Sequence, residues 1–209
     1  KNIIIGISDT GLDYNHNAFY DSNVSVKFDE NNPSHRKILN YRNLADSTLD
    51  DGGHGTHVCG TVAGSIERDD STDSYYKHSG MAKDAKIVFT DLWDETDTIV
   101  AFDVLTDLLT PGIDDNVNIH SASWGCITSE EEGNGNQFSC NTYDSIAQSI
   151  DQFIKENPNV LFITSAGNNG ATSVYGNIGS PCSAKNVICV GATLSTHQGM
   201  VDSTLLDLD

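Results

Sequence analysis

The chain has 209 residues, enough for one well-buried α/β domain. Thirty acidic against 11 basic residues leave a net charge of −19, which argues against nucleic-acid or anionic-membrane partners, since both want a basic face. No apolar run approaches the roughly 20 residues that cross a bilayer, and the opening KNIIIGIS is too short for a secretory signal, so the chain is expected to start mature or trimmed.

In chain order, short apolar runs alternate with helical patterns. Ile3–Ser8 reads as a buried strand that ends at Asp9-Thr10-Gly11, and His54–Gly64 reads as the start of a helix. Ala85–Leu92 is a second strand. Ile99–Leu109 carries apolar residues at helical spacing and stops at Pro111-Gly112. Asn116–Gly125 is a third strand, and Tyr143–Lys155 an amphipathic helix with Ile146, Ile150, Phe153 and Ile154 on one side. Asn159–Asn168 and Asn186–Thr193 are further strands. Strand–helix alternation with nearly continuous apolar strands predicts a parallel sheet with helices on both faces, in a single domain over residues 1–209. The polar stretches from Asp21 to Lys37 and from Glu67 to Gly80 are expected to be surface excursions.

Five cysteines are too few for a disulfide scaffold. Cys126 with Cys140 and Cys182 with Cys189 are plausible bridges, and Cys59, inside a run of small residues, is expected to be a buried free thiol. Together with the sequon Asn23-Val24-Ser25, this usage leans towards a secreted or lumenal protein.

Ligands of open parallel sheets sit outside the carboxyl ends of the strands. Asp9-Thr10-Gly11, Ser121–Gly125 and Ala166-Gly167-Asn168-Asn169 all fall there, and His54, at a helix start, lies on the same side. An acid, an imidazole and a carboxamide are thereby expected to converge. Each alone has a structural explanation: a turn at Asp9, a packing histidine at His54, a turn at Asn168. Zinc is a rival for His54 and His57, but Gly55 and Thr56 stand where a zinc protease carries its glutamate, and no Cys–His cluster supplies further ligands.

The segments IIIGISDTGLDYNHNAF, DGGHGTHVCGTVAG, NIHSASWG and VLFITSAGNNG resemble the subtilisin-like serine proteases, or subtilases, from Lys1 to about Thr193. The resemblance implies a three-layer α/β fold and peptide-bond hydrolysis with no cofactor in the chemistry. It implies that Asp9 orients His54, that His54 is the general base, and that Asn168 donates to the oxyanion. Ser123, Trp124 and Gly125 would pair with the substrate backbone, and Ala166 and Gly167 would line the pocket for the residue before the cut. His57 would serve the structure around the helix start. The helix after His54 is small-sided so as to lie close to the sheet, and a large residue at Gly60 or Ala63 should disrupt it.

The family's nucleophile follows Gly-Thr, downstream of the Val-Gly-Ala-Thr strand, and residues 1–209 contain no Gly-Thr-Ser. The sequence therefore supplies Asp, His and Asn but not Ser, and is expected to be inactive alone, truncated before the nucleophile segment and incomplete at the carboxyl end of the sheet. The implied partners are a protein or peptide substrate and the remainder of the protease domain. A non-catalytic structural or binding module of subtilase type is the alternative. Structural calcium is compatible with the acidic composition, although Asn17-Ala18-Phe19 lacks the acidic ligand many subtilases place there.

Overall fold

The computed structural model describes residues 3–45, 50, 52–66, 79–94, 99–126, 141–168 and 178–193. Among them are six strands: β1 (Ile4–Asp9), β2 (Ile38–Asn43), β3 (Lys86–Asp91), β4 (Ile119–Ala122), β5 (Leu161–Ser165) and β6 (Ile188–Val190). They form one sheet in the order β2-β3-β1-β4-β5-β6, with every pairing parallel. After β1 the chain winds to one side of the sheet and after β4 to the other. That arrangement opens a crevice at the carboxyl ends of the two central strands.

Strand alternation sorts the core into two layers. Ile5 and Ile7 of β1 join Ile87 and Phe89 of β3 and face Cys59 and Ala63 of helix α1 (His54–Ala63). On the other face, Ala122 and Phe162 pack with Leu108, Ile150 and Phe153. Those last three come from a π-helical segment (Val104–Leu109), which runs on into α2 (Thr110–Asp114), and from α3 (Ser145–Glu156). Helices therefore cover both faces, as the alternation predicts. β6 forms an edge, and its Ile188 and Val190 are 48% and 50% exposed.

Several local expectations are corrected. Residues 99–109 do not make a helix that stops at Pro111: helical structure begins at Val104, with Asp103 accepting the Leu105 and Thr106 amides, each at 2.9 Å. It runs on past Pro111, which stands where the π-helical segment gives way to α2. The stretch from Asp21 to Lys37 runs largely over the surface, as expected, but is pinned to the core. Asn32, His35 and Lys37 are buried, and Phe28 packs edge-on against Tyr41 of β2 at 4.9 Å. β2 itself does not stand out as an apolar run, because Asn40, Arg42 and Asn43 interrupt it. Their partners lie far away in sequence: Asp115 accepts from both Asn40 and Arg42.

Gly60 is not where α1 meets the sheet: a Cβ there would touch nothing within 4 Å. The close approach is at Gly55, where a Cβ would run into the Gly11 carbonyl and come within 3.1 Å of the Asp9 side chain. Ala63, fully buried, keeps its expected role. Cys182 and Cys189 are disulfide-bonded, and Cys59 is a buried free thiol. Cys126 is also disulfide-bonded. Cys140, most of the Glu67–Gly80 stretch, Asn169 and the residues after Thr193 lie outside the described residues.

Candidate active site

β1 delivers Asp9 to the carboxyl edge of the sheet, 1% exposed. The start of α1 is brought against it by two unusual caps. Gly53, in the left-handed region at φ 73°, offers no side chain to the first-turn amides. Instead the Gly55 N–H donates to Thr10 Oγ1 at 2.9 Å, and the Thr56 N–H to Asp50 Oδ2 at 2.7 Å. Thr10 Oγ1 in turn donates to Asp50 Oδ1 at 2.8 Å. Helix-end donors that would otherwise be orphaned are thus satisfied from the strand and loop.

This docking brings His54 Nδ1 to 2.6 Å from Asp9 Oδ1. A carboxylate only accepts, so Nδ1 carries the proton and Nε2 is left as the basic nitrogen. The His54 side chain is 56% exposed, so its outer edge is open to a reactant. Burial pushes the Asp9 carboxyl above the usual carboxylate range, while the hydrogen bonds from His54 and the Thr10 amide pull it back. Asp9 Oδ2 is buried without a hydrogen-bond partner, the structural side of that desolvation.

A cleft of about 390 Å³ opens in front of this pair. Asp9 and His54 line it together with Ser123, Trp124 and Gly125 beyond β4, and with Ala166, Gly167 and Asn168 beyond β5. Asp9, His54, Ser123–Gly125 and Ala166–Asn168 thus all line one space. Trp93 and Ile99 add apolar wall that the strand pattern did not announce. Ser180 also lines the cleft, but its hydroxyl donates to Asp144 Oδ1 at 2.6 Å. Among the described residues, no serine hydroxyl is hydrogen-bonded to His54.

Sequence reasoning passed over Asp50, although it stands four residues before His54 in Asp50-Asp51-Gly52-Gly53. His57 is exposed on α1 and stands apart from the cleft. Among the described residues, no group of three or more His, Cys, Asp or Glu side chains is placed to hold a metal ion.

Residues 1–204 match the model of the subtilase family. The chain belongs to that family. This subtilase is 36% identical over 208 residues to the serine protease/ABC transporter B family protein tagD of Dictyostelium discoideum, and 34% identical over 205 residues to tagB of the same organism. Each match takes in 98% of this chain but only 11% and 10% of those proteins, so the subtilase chain spans about a tenth of its curated relatives. Its fold is similar to that of the prenylagaramide maturation protease PagA, with a TM-score of 0.57 at 22% identity, over 94% of this chain and 55% of that one.

After Asp9-Thr10-Gly11 in this subtilase, backbone oxygens that a cation could use are already occupied. The Arg36 guanidinium already donates to the carbonyls of Asn17, Tyr20 and Ser65, at 3.1, 2.5 and 2.9 Å. A fixed positive charge on those oxygens repels a second cation.

Proposed function

We propose that the chain supplies the acid, base and oxyanion donor of a subtilase-type serine endopeptidase. The observation that carries this reading is the 2.6 Å hydrogen bond between His54 Nδ1 and Asp9 Oδ1 at the floor of a cleft that Asn168 also lines. Asp9 holds the imidazole in one tautomer and stabilises the imidazolium that forms. His54 Nε2 takes the proton of a serine hydroxyl as that oxygen attacks the peptide carbonyl, and returns it to the leaving amine. The Asn168 carboxamide donates to the oxyanion of the tetrahedral intermediate. Ser123–Gly125 adds to the substrate backbone as an extended edge, and Ala166-Gly167 receives the side chain before the cut. The nucleophile comes from a Gly-Thr-Ser segment of the remaining protease domain, so residues 1–209 alone do not turn over peptides. The chemistry uses no cofactor, and the compartment is secreted or lumenal.

A fluorophosphonate probe on the intact natural protein tests this. Labelling of the parent that is lost in His54→Ala supports it. An unlabelled parent overturns it in favour of a non-catalytic module.

A further inference from the structure

We propose that Ser8 and His120 are positioning residues that lock the indole of Trp124 as a fixed apolar wall of the cleft, and so set how tightly a peptide is received. The inference rests on the cleft being the peptide site proposed above.

Ser8 on β1 and His120 on β4 sit in the two central strands, 0% and 3% exposed, and Trp124 is 8% exposed. Polar groups buried this deeply cost several kcal/mol unless each finds a partner. The Trp124 indole N–H donates to Ser8 Oγ at 2.9 Å, and Ser8 Oγ lies 3.0 Å from His120 Nε2. An indole N–H can only donate. Among the described residues, His120 is the one acceptor for the Ser8 hydroxyl proton. The chain therefore runs Trp124 N–H to Ser8 O–H to a neutral His120. Burial favours that neutral form, bringing the imidazole down to about 4.

The far end of the chain cannot swing. His120 stacks on Phe162 at 5.3 Å and 10° between planes, and on its other side a Cβ at Gly6 would stand 2.7 Å from Nδ1. Trp124 meets Phe102 edge-on at 5.3 Å. The indole is thus held by its edge through one directional bond. Trp124 stands between Ser123 and Gly125, so the bond that fixes the ring also fixes the backbone edge offered to a peptide.

The test uses the intact protein carrying 5-fluorotryptophan, with the residue 124 fluorine resonance identified by its loss in Trp124→Phe. Ser8→Ala should shift or split that resonance, and an unmoved single line would overturn the proposal. In peptide hydrolysis, Ser8→Ala should raise KM about three- to tenfold with kcat within about twofold. Trp124→Phe removes the donor together with part of the ring and should raise KM at least as much. Adding Ser8→Ala to Trp124→Phe should then change KM little, because the shared bond is already gone. Fully additive effects would mean that Ser8 acts on the fold at large, and would overturn the proposal. Absence of fluorophosphonate labelling in the parent would sink the protease reading alone, leaving the fluorine result to decide the positioning claim.

Discussion

Thr10 and Asp50 share a 2.8 Å hydrogen bond across the seam between β1 and α1. Each also accepts a first-turn amide of α1, from Gly55 and Thr56 respectively. The pair joins the strand that ends in the acid to the helix that begins with the imidazole. Thr10→Val keeps the shape and removes both bonds of the hydroxyl. It should expose the α1 amides to hydrogen exchange roughly tenfold faster or more, the range for an orphaned donor. Unchanged exchange over residues 54–63 would show that the seam is held by other contacts.

The two glycines of α1 should respond oppositely. Gly55→Ala places a methyl against the Gly11 carbonyl and the Asp9 side chain, so the Asp9–His54 bond should be lost and probe labelling with it. Gly60→Ala meets open space and should stabilise the helix by up to about 1 kcal/mol, the propensity difference between the two residues. Exchange rates and labelling of the two intact variants check both outcomes.

Acid should weaken the sheet through His120. Its imidazole, ordinarily near 6.5, is lowered to about 4 by burial, so the unfolded chain takes up a proton in a range where the folded chain refuses it. The contribution of neutral His120 is complete above pH 6.5 and is lost as the pH falls through 4. Asp91 runs the other way: burial raises its carboxyl from 3.8 to about 6, partly offset by the Tyr41 hydroxyl. Its contribution is complete below pH 3.8 and lost as the pH rises through 6, so between pH 4 and 6 the two groups oppose each other. His120→Gln isolates one of them. Moving from pH 7 to 4.5 should cost the parent roughly 2–3 kcal/mol more than the variant, read from protection of β4 amides. Equal losses would mean that His120 is not neutral and buried in solution.

Much of the fold was legible because the physics is local. β1, β3 and β5 are built around apolar runs, and α3 has its apolar residues on one side of a 3.6-residue period. β2 was not legible, since Asn40, Arg42 and Tyr41 pair with Asp115 and Asp91, which only the folded chain brings near. The convergence of Asp9, His54, Ser123–Gly125 and Ala166–Asn168 on one cleft could be read in advance, because parallel strands put all their carboxyl ends on one side. Asp50, Ser8 and His120 could not. A buried serine in a strand looks like any small residue until its partners are known.

Asp144 offers a test that does not involve the Asp9–His54 pair. Its carboxylate caps α3 by accepting the Ala147 amide at 2.9 Å, and it also takes the Ser180 hydroxyl at 2.6 Å. Asp144→Ala should cost about 1–2 kcal/mol of local stability, seen as faster exchange at the start of α3. Intact protection would assign the cap to other groups.

The account stands on Asp9 holding His54 as a base, and the most direct measurement is kcat of the intact protein on a peptide substrate with Asp9→Asn. The carboxamide keeps the shape but no longer enforces the tautomer. A fall of about 10⁴-fold is expected, the size known when the acid of a Ser-His-Asp triad is replaced by its amide. A change smaller than about tenfold would contradict the claim.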